Sequence, residues 1–223
     1  MRDAYHQELD ALSEQLVEMT RLVGSAISRA STALLDADLT LAESVIAADD
    51  AVNALRDDLD RRALDLLARQ QPVASDLRTI VTSLRMSADL ERMGDLARHV
   101  ARVARRRFPE SAVPAPLRST VVEMSQVAVR LVAKAGSVIA SQDVAAALEL
   151  EGDDDEMDRL HRALFTALLD PKSRYGVEEA IDITSVGRYY ERFADHAVSV
   201  AGRVVYLVTG QRAEELAVSG PGS

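Results

Sequence analysis

Acidic residues recur at a spacing of four in two distant parts of this sequence. Glu91-x-x-x-Asp95 and Glu191-x-x-x-Asp195 carry the same pattern, and an arginine follows each glutamate directly. Residues four apart share one face of a helix, so the two carboxylates of each motif would lie close together and repel each other. Either a neighbouring basic side chain or a bound metal ion could offset that repulsion.

Each half of the chain also carries a second pair of oxygen-bearing side chains upstream of this motif. Asp49-x-x-x-Asn53 precedes the first copy and Asp154-x-x-x-Asp158 precedes the second. Two helices that each present oxygens four residues apart can converge on a hard cation or on iron or manganese, and helical bundles host such centres. The spacing therefore predicts two candidate metal sites: Asp49, Asn53, Glu91 and Asp95 in the first half, and Asp154, Asp158, Glu191 and Asp195 in the second.

Local ion pairing is the competing explanation for these acids. Asp95 has Arg98 three residues downstream and His99 four residues downstream, while Glu191 has Arg188 three residues upstream. A solvated stripe of salt bridges would then account for both motifs without any metal ion. On a helical wheel, apolar residues bracket the second motif, whereas arginines follow the first. We therefore expect the second site to be the more deeply embedded of the two.

Proline residues separate the helices that would carry these sites. Helices rarely cross proline. The proline-free stretches 1–71 and 117–170 are too long for one ordinary helix each, and each is predicted to be a helical hairpin. The stretches 73–108 and 172–209 each fit one long helix. Apolar residues step by three and four, and no alternating run is long enough for a strand, which predicts an all-α fold.

The two halves of the chain match residue by residue. Residues 17–19 and 122–124 share the sequence Val-Glu-Met, and the acidic motifs follow in the same order in both halves. A constant order of matches with one short gap indicates an internal duplication. We predict two tandem three-helix bundles, six long helices in all, at 1–108 and 114–212, followed by a flexible tail at 213–223.

Composition excludes several classes of function. The chain has 223 residues, no cysteine and a net charge of −10, so disulfides and thiolate metal sites are excluded and binding to nucleic acid is disfavoured. It has no apolar run of the ~20 residues that span a bilayer and no apolar signal core at its start, which favours a cytoplasmic protein. It also lacks a phosphate-binding loop, a dinucleotide fingerprint and a nucleophile elbow.

A run of arginines, at 102 and 105–107, is the main basic cluster. Because it precedes a proline, we interpret it as the C-terminus of a helix, where the helix dipole favours cations; a docking patch is the alternative. The four histidines do not recur between the halves, so they are predicted to be surface or interhelix residues rather than ligands.

The residues around the repeated motif resemble the PhoU family. Residues 67–78 resemble the junction between the second and third helices of that family, residues 88–95 resemble its signature, and residues 189–197 resemble the second copy of the signature. The resemblance extends over roughly residues 1–212. It implies two three-helix bundles related by pseudo-symmetry.

The resemblance also implies a function. Proteins of this family are regulators rather than enzymes, and couple a phosphate ABC transporter to a sensor histidine kinase so that the phosphate-starvation response stays off when phosphate is plentiful. The implied partners are the kinase and the ATPase subunit of the transporter, with a homodimer expected and membrane contact only through partners. Some members bind multinuclear iron or zinc through such acidic pairs, so iron, zinc, manganese or magnesium is the expected cofactor. Asn53 departs from the acidic pattern, which weakens the first site.

Two other functions compete with this interpretation. One is a helical-bundle protein that stores metal or performs redox chemistry at the acidic sites. The other is a structural helical adaptor in which the acids form only a solvated face.

Overall fold

The fold consists of long α-helices. The structure is a computed structural model that describes residues 2–70, 74–172 and 175–218, and these residues contain no strand. The elements are α1 (Arg2–Asp36), α2 (Leu39–Gln70), α3 (Ala74–Arg107), a single 3-10 turn (Ala115–Leu117), α4 (Arg118–Ser141), α5 (Val144–Leu169), α6 (Val177–Thr209) and a short α7 (Ala213–Val218). The predicted all-α class and its six long helices are confirmed. Pro72, where a helix break is predicted, lies outside the described residues. The structure shows that α2 ends before it, at Gln70, and that α3 begins after it, at Ala74.

The two hairpin turns have the same construction. Ala37 and Gln142, at equivalent places in the two halves, both adopt the left-handed conformation, with φ of 51° and 53°. The next residue caps the following helix: the Asp38 carboxylate accepts a backbone N–H three residues on at 2.9 Å, and the Asp143 carboxylate does the same at 3.1 Å. A short acidic residue at this position stabilises a helix N-terminus by roughly 1 kcal/mol. Each of the two proline-free stretches is therefore a helical hairpin, as predicted.

The two three-helix units share one continuous apolar core. Four helices, α1, α3, α6 and α4, pack around it, while α2 lies against α1 and α3, and α5 lies against α4 and α6. Tyr190 and Phe193 are the largest fully buried side chains. The Tyr190 hydroxyl of α6 is hydrogen-bonded to Ser31 of α1 at 2.5 Å, so the core joins the two halves through a polar contact as well as through packing.

A pseudo-two-fold axis relates the halves. In α3 and α6, which are equivalent in the repeat, the end of one helix lies beside the start of the other, since Arg106 pairs with Asp182. The same holds for α1 and α4, because Arg118 at the start of α4 pairs with Asp36 at the end of α1 at 2.8 Å. In both pairs, a helix packs antiparallel against its own equivalent from the other half. This is the arrangement that a two-fold axis between the repeats produces.

Residues 213–218, at the start of the segment predicted to be a flexible tail, form α7. Residues 219–223 lie outside the described part, so the flexibility of this tail stays a prediction. Two contacts explain the helix: the Glu215 carboxylate accepts the N–H of Arg212 at 3.1 Å, and Ala213 and Leu216 pack against the core.

The basic run ends α3 at Arg107, as predicted. Its last two members also reach the start of α6, where Arg107 donates to Glu178 at 2.7 Å. No helix in the described ranges is long and apolar enough to cross a bilayer.

Candidate functional site

The first-half acids lie between α2 and α3, and a single arginine connects them. Arg98 of α3 donates one guanidinium nitrogen to Asp49 on α2 and the other to Asp95 on its own helix. Asn53 donates to Asp49 at 3.5 Å, at the limit of a hydrogen bond. The structure thus brings Asp49, Asn53 and Asp95 together, and the centre of the group is occupied by a side-chain cation.

Glu91 completes this group with cations of its own. Arg56 on α2 lies 3.6 Å from the Glu91 carboxylate, and Arg92 lies 3.7 Å from Glu91 and 3.2 Å from Asp95. Every carboxylate of the first set therefore has at least one guanidinium within ion-pair distance. This arrangement is the ion pairing that the sequence left open as an alternative.

Asp49 is the most buried acid of the first group, with 8% of its surface exposed. Burial raises its pKa above the usual value, while the Arg98 guanidinium acts in the opposite direction. Removing a carboxylate from water is unfavourable unless a counter-charge accompanies it. Arg98 supplies that charge, so the first-half residues do not fit a metal ion in this arrangement.

The second-half acids lie between α5 and α6 and lack such partners. Asp154 is half-buried and Glu191 partly buried, while Asp158 and Asp195 are exposed. Within the described ranges, the one ion pair of this group joins Arg162 to Asp158 at 4.0 Å, the limit of such a contact. Arg188, which the sequence offered as a partner for Glu191, makes no ion pair among the described residues.

The pKa of Asp154 reflects this lack of nearby cations. Burial, followed by the negative charges of Asp195, Asp158 and Glu191, raises the pKa of Asp154 to about 6. A carboxyl group responds in this way when like charges surround it and no cation is near. Asp154 therefore lies within electrostatic reach of the other three acids.

The difference between the halves has an identifiable cause in the repeat. Arg98 corresponds to Val198, and Arg56 corresponds to His161, so the second half lacks both interhelical arginines. The Nε2 atom of His161 is buried without a hydrogen-bond partner. His161 lies three residues after Asp158, which places an unpaired ring nitrogen on the same side of α5 as the acids.

The expectation that the second site is the more embedded one is wrong. Asp49 in the first half is buried, whereas Asp195 in the second is exposed. The helical wheel reports only what flanks an acid on its own helix. It misses Arg98, whose side chain spans from α3 to α2 and covers the first pair.

The donor chemistry of the second half suits a hard cation, because its four carboxylates have only one weak ion pair, at 4.0 Å, among the described residues. The side chains are not arranged for one: among the described residues, no three or more histidine, aspartate or glutamate side chains are positioned to hold one metal ion. Side-chain rotation at Asp158 and Asp195, which are exposed, is the movement that binding would need.

A further polar cluster, which the sequence did not reveal, joins the halves. Asp89 of α3 accepts from Arg203 at 2.6 Å and from Ser199 at 3.1 Å on α6, and lies 3.1 Å from His196 Nδ1. Burial works against the charged form, but the hydrogen bonds from His196 and Arg203 hold the pKa of Asp89 below its usual value. The ring of the equivalent residue, Tyr189, instead lies tilted beside the ring of His99, with the ring centroids 5.2 Å apart.

Comparison with known proteins places this arrangement in a family. The PhoU domain matches residues 16–104 and again residues 121–204. The chain belongs to the PhoU family. The double match agrees with the duplication, and the predicted resemblance is confirmed.

Close relatives span nearly the whole chain. The phosphate-specific transport system accessory protein PhoU homolog 2 of Mycobacterium tuberculosis is 50% identical over 210 residues, 94% of this chain and 99% of that protein. Homolog 1 of Mycobacterium leprae is 47% identical over 220 residues, 99% of each. The crystal structure of PhoU from Pseudomonas aeruginosa superposes with a TM-score of 0.84 at 33% identity, over 93% of this chain and all of that one. The two mycobacterial relatives are named as accessory proteins of a phosphate-specific transport system. Proteins of the PhoU family are not enzymes, which confirms that prediction for this chain.

Proposed function

We propose that this PhoU-family protein is a cytoplasmic negative regulator of phosphate uptake and of the phosphate-starvation response. It acts as an adaptor between the ATPase subunit of a phosphate ABC transporter and a sensor histidine kinase. The observation that carries the proposal is the 50% identity, over 94% of the chain, to an accessory protein of a phosphate-specific transport system. Membrane contact then occurs only through those partners.

The molecule is suited to such a role by its shape. Its core runs through both halves, so the six long helices form one body with extended side surfaces on which two different proteins could bind. Binding of the chain together with the transporter subunit would favour the phosphatase state of the kinase when phosphate is plentiful. The differential affinity for the two kinase states sets how far that equilibrium can move.

A deletion strain tests the regulatory role. With the gene removed, a reporter of the phosphate-starvation response is expected to stay on in high phosphate, and the full-length chain is expected to restore repression. Copurification of the tagged chain with the kinase and with the ATPase subunit tests the adaptor role. Normal repression in the deletion strain would contradict the proposal. A homodimer remains a prediction, which light scattering of the purified chain checks.

We also propose that Asp154, Asp158, Glu191 and Asp195 hold a cation, with magnesium, manganese and iron suited to their oxygens and zinc less so. The raised pKa of Asp154 favours this proposal, since a bound cation would relieve the repulsion that causes it. A bound ion would join α5 to α6, as Arg98 joins α2 to α3 in the other half.

Metal content separates this proposal from its competitors. Chelator-treated chain is titrated with each metal by calorimetry, followed by elemental analysis. Binding is expected to be lost in Glu191→Gln/Asp195→Asn and kept in the matched control Glu91→Gln/Asp95→Asn. Equal binding by both variants would contradict the proposal. Stoichiometric iron with oxidase turnover would favour metal storage or redox chemistry, and unchanged signalling with no metal would favour a plain adaptor.

A further inference from the structure

A cavity of about 90 Å³ lies between α1, α2 and α3 in the first half, and we call it the first-half cavity. Most of its lining is apolar. Its polar lining consists of four side chains: Ser25 and Arg29 of α1, Asp49 of α2 and Arg98 of α3. A single water molecule needs roughly 15 Å³ of such space, so the cavity has room for a small polyatomic ion.

The equivalent place in the second half is a groove between α4 and α5 that ion pairs cross. Arg130 pairs there with Glu156, and Lys134 pairs with Asp153 at 2.6 Å and with Glu149 at 3.3 Å. Two cations of α4 are thus balanced by three acids of α5. We call this place the second-half groove.

The first half lacks all three of these acids but keeps one of the cations. Lys134 corresponds to Arg29, and Arg130 corresponds to Ser25. Arg29 donates to Ser44 at 2.8 Å and makes no ion pair among the described residues. The three acids correspond to small uncharged residues: Ser44, Ala48 and Ala51. The exposed rim of the first-half cavity therefore carries a positive charge without the counter-charge that its equivalent has.

A second donor of the cavity is also unused. The two terminal nitrogens of Arg98 donate to Asp49 and Asp95, but its Nε atom is buried without a hydrogen-bond partner in the described part of the chain. Buried N–H groups nearly always have a partner, because leaving one unpaired is unfavourable. Since Arg98 lines the cavity, an oxygen atom of a bound ligand could accept this hydrogen bond.

The cavity contains one carboxylate acceptor as well. Asp49 Oδ2 accepts from Arg98, whereas Asp49 Oδ1 makes no hydrogen bond among the described residues. This oxygen lies beside Gly94, another lining residue, since a Cβ atom at position 94 would be 3.6 Å from it. A carboxylate repels a fully ionised anion but accepts a hydrogen bond from an anion that keeps a proton. Phosphate keeps a proton at neutral pH, and sulfate keeps none.

We propose that the first-half cavity binds one inorganic phosphate ion. Arg29, Arg98 Nε and the Ser25 hydroxyl donate to its oxygens, and Asp49 Oδ1 accepts the proton of its P–OH group. Guanidinium groups suit this role because their N–H donors match the geometry of phosphate oxygens. The cavity carries this inference, and its link to regulation rests on the proposed function: the chain would itself respond to phosphate.

Calorimetric titration of the full-length chain with inorganic phosphate, to about 10 mM, tests the inference. Ala48→Asp/Ala51→Glu introduces two acids of the second half and supplies Arg29 with a counter-charge. Arg29→Gln removes the cation of the rim, and Lys134→Gln is the matched control in the second-half groove. The three substituted positions of the first half are exposed, so circular dichroism should be unchanged.

The parent chain is expected to bind one phosphate ion. Arg29→Gln should bind at least 10-fold more weakly, the double variant not measurably, and the control within 2-fold of the parent chain. Sulfate should bind the parent chain at least 10-fold more weakly than phosphate, because it has no proton to donate to Asp49 and leaves that acceptor unpaired.

Four results would overturn the inference: no phosphate binding by the parent chain, unchanged binding by the double variant, an equal loss in the control, or equal binding of sulfate. Equal binding of O-phosphoserine would also overturn it, in favour of a site for a phosphorylated side chain. None of these results affects the proposed function, which the deletion strain and copurification test separately. Normal repression in the deletion strain would likewise leave phosphate binding intact.

Discussion

The two halves of this PhoU-family protein share a fold and an acidic motif, yet they neutralise the acids in opposite ways. In the first half, Arg98 joins Asp49 of α2 to Asp95 of α3. In the second half, Val198 stands at the position of Arg98, and the acids repel one another. The motif fixes where the carboxylates lie, but a residue one turn away decides whether they form a closed salt bridge or an open anionic site.

The comparison also separates burial from the capacity to bind. The first group is the more buried one, but its charge is already balanced within the protein. The second group is the more exposed one, and its negative charge is largely uncompensated by nearby cations. The burial of an acidic cluster is therefore a poor guide to whether it binds a cation. The number of basic side chains next to the cluster is a better guide.

The largest effect is expected when Arg98 is replaced by the residue of the other half. Arg98→Val leaves Asp49 buried without its counter-charge, and should lower the free energy of unfolding by about 2 kcal/mol, below the 3–5 kcal/mol of a fully buried pair because Arg98 is partly exposed. Urea unfolding measures the change. Arg188→Ala, an exposed arginine without an ion pair among the described residues, is the control. A loss below about 0.5 kcal/mol for Arg98→Val would mean that the two halves do not differ in this way.

A smaller effect of opposite sign is expected at Asp154. Its pKa of about 6 lies above the value of 3.8 in an unfolded chain, so the native state holds this proton more tightly. Below about pH 4, Asp154 is protonated in the native state and does not lower the free energy of unfolding. As the pH rises from 4 to 6, the native state becomes progressively less stable relative to the unfolded state, and above pH 6 the loss is complete. Asp154→Asn should stabilise the metal-free chain by about 1 kcal/mol at pH 8, after allowance for solvent screening, and have no effect at pH 4.

Thermal unfolding across this pH range checks the Asp154 prediction. Saturating cation, if it binds, should reverse the sign, since the asparagine variant loses a ligand. Destabilisation of the metal-free variant at pH 8 would show that the second-half acids are compensated after all.

The cluster at Asp89 tests whether the contact between the halves is also asymmetric, with Asp89 contributing more stability than the equivalent Tyr189. Asp89→Asn removes charge-assisted hydrogen bonds to Arg203 and His196, and is expected to cost about 1 kcal/mol at neutral pH. Because the native pKa of Asp89 is lowered, its contribution is present at neutral pH and disappears as the pH falls below the ordinary range of a carboxyl group. Tyr189→Phe at the equivalent position should change stability less. Equal losses would indicate a symmetric contact.

The smallest effect is expected at the outer edge of the second site. Arg162 approaches Asp158 only at 4.0 Å, and both side chains are more than half exposed. Arg162→Ala should therefore change the free energy of unfolding by no more than about 0.3 kcal/mol. A larger loss, measured by the same urea titration, would mean that the second half has an effective internal cation.

Features that depend on local sequence could be predicted. The caps at Asp38 and Asp143 and the end of α3 at Arg107 follow from residues within one turn of the feature. The spacing of apolar residues by three and four predicted the all-α class, and the repeat predicted two equivalent sets of three helices.

Contacts between side chains on different helices could not be predicted. The bond from Arg98 to Asp49 spans two helices, and Arg106 pairs with Asp182 of the other half. Nothing in the sequence near either residue identifies its partner.

The pseudo-two-fold axis bears on how the chain diverged. A single three-helix unit could pair with its own copy through the helices that α1, α3, α4 and α6 now provide, so the present arrangement is what fusion of two such copies would leave. In an unfused ancestor, one substitution would change both sides of the axis together. Fusion releases that constraint, and arginine at position 98 with valine at the equivalent position 198 is a difference that two identical unfused subunits could not carry.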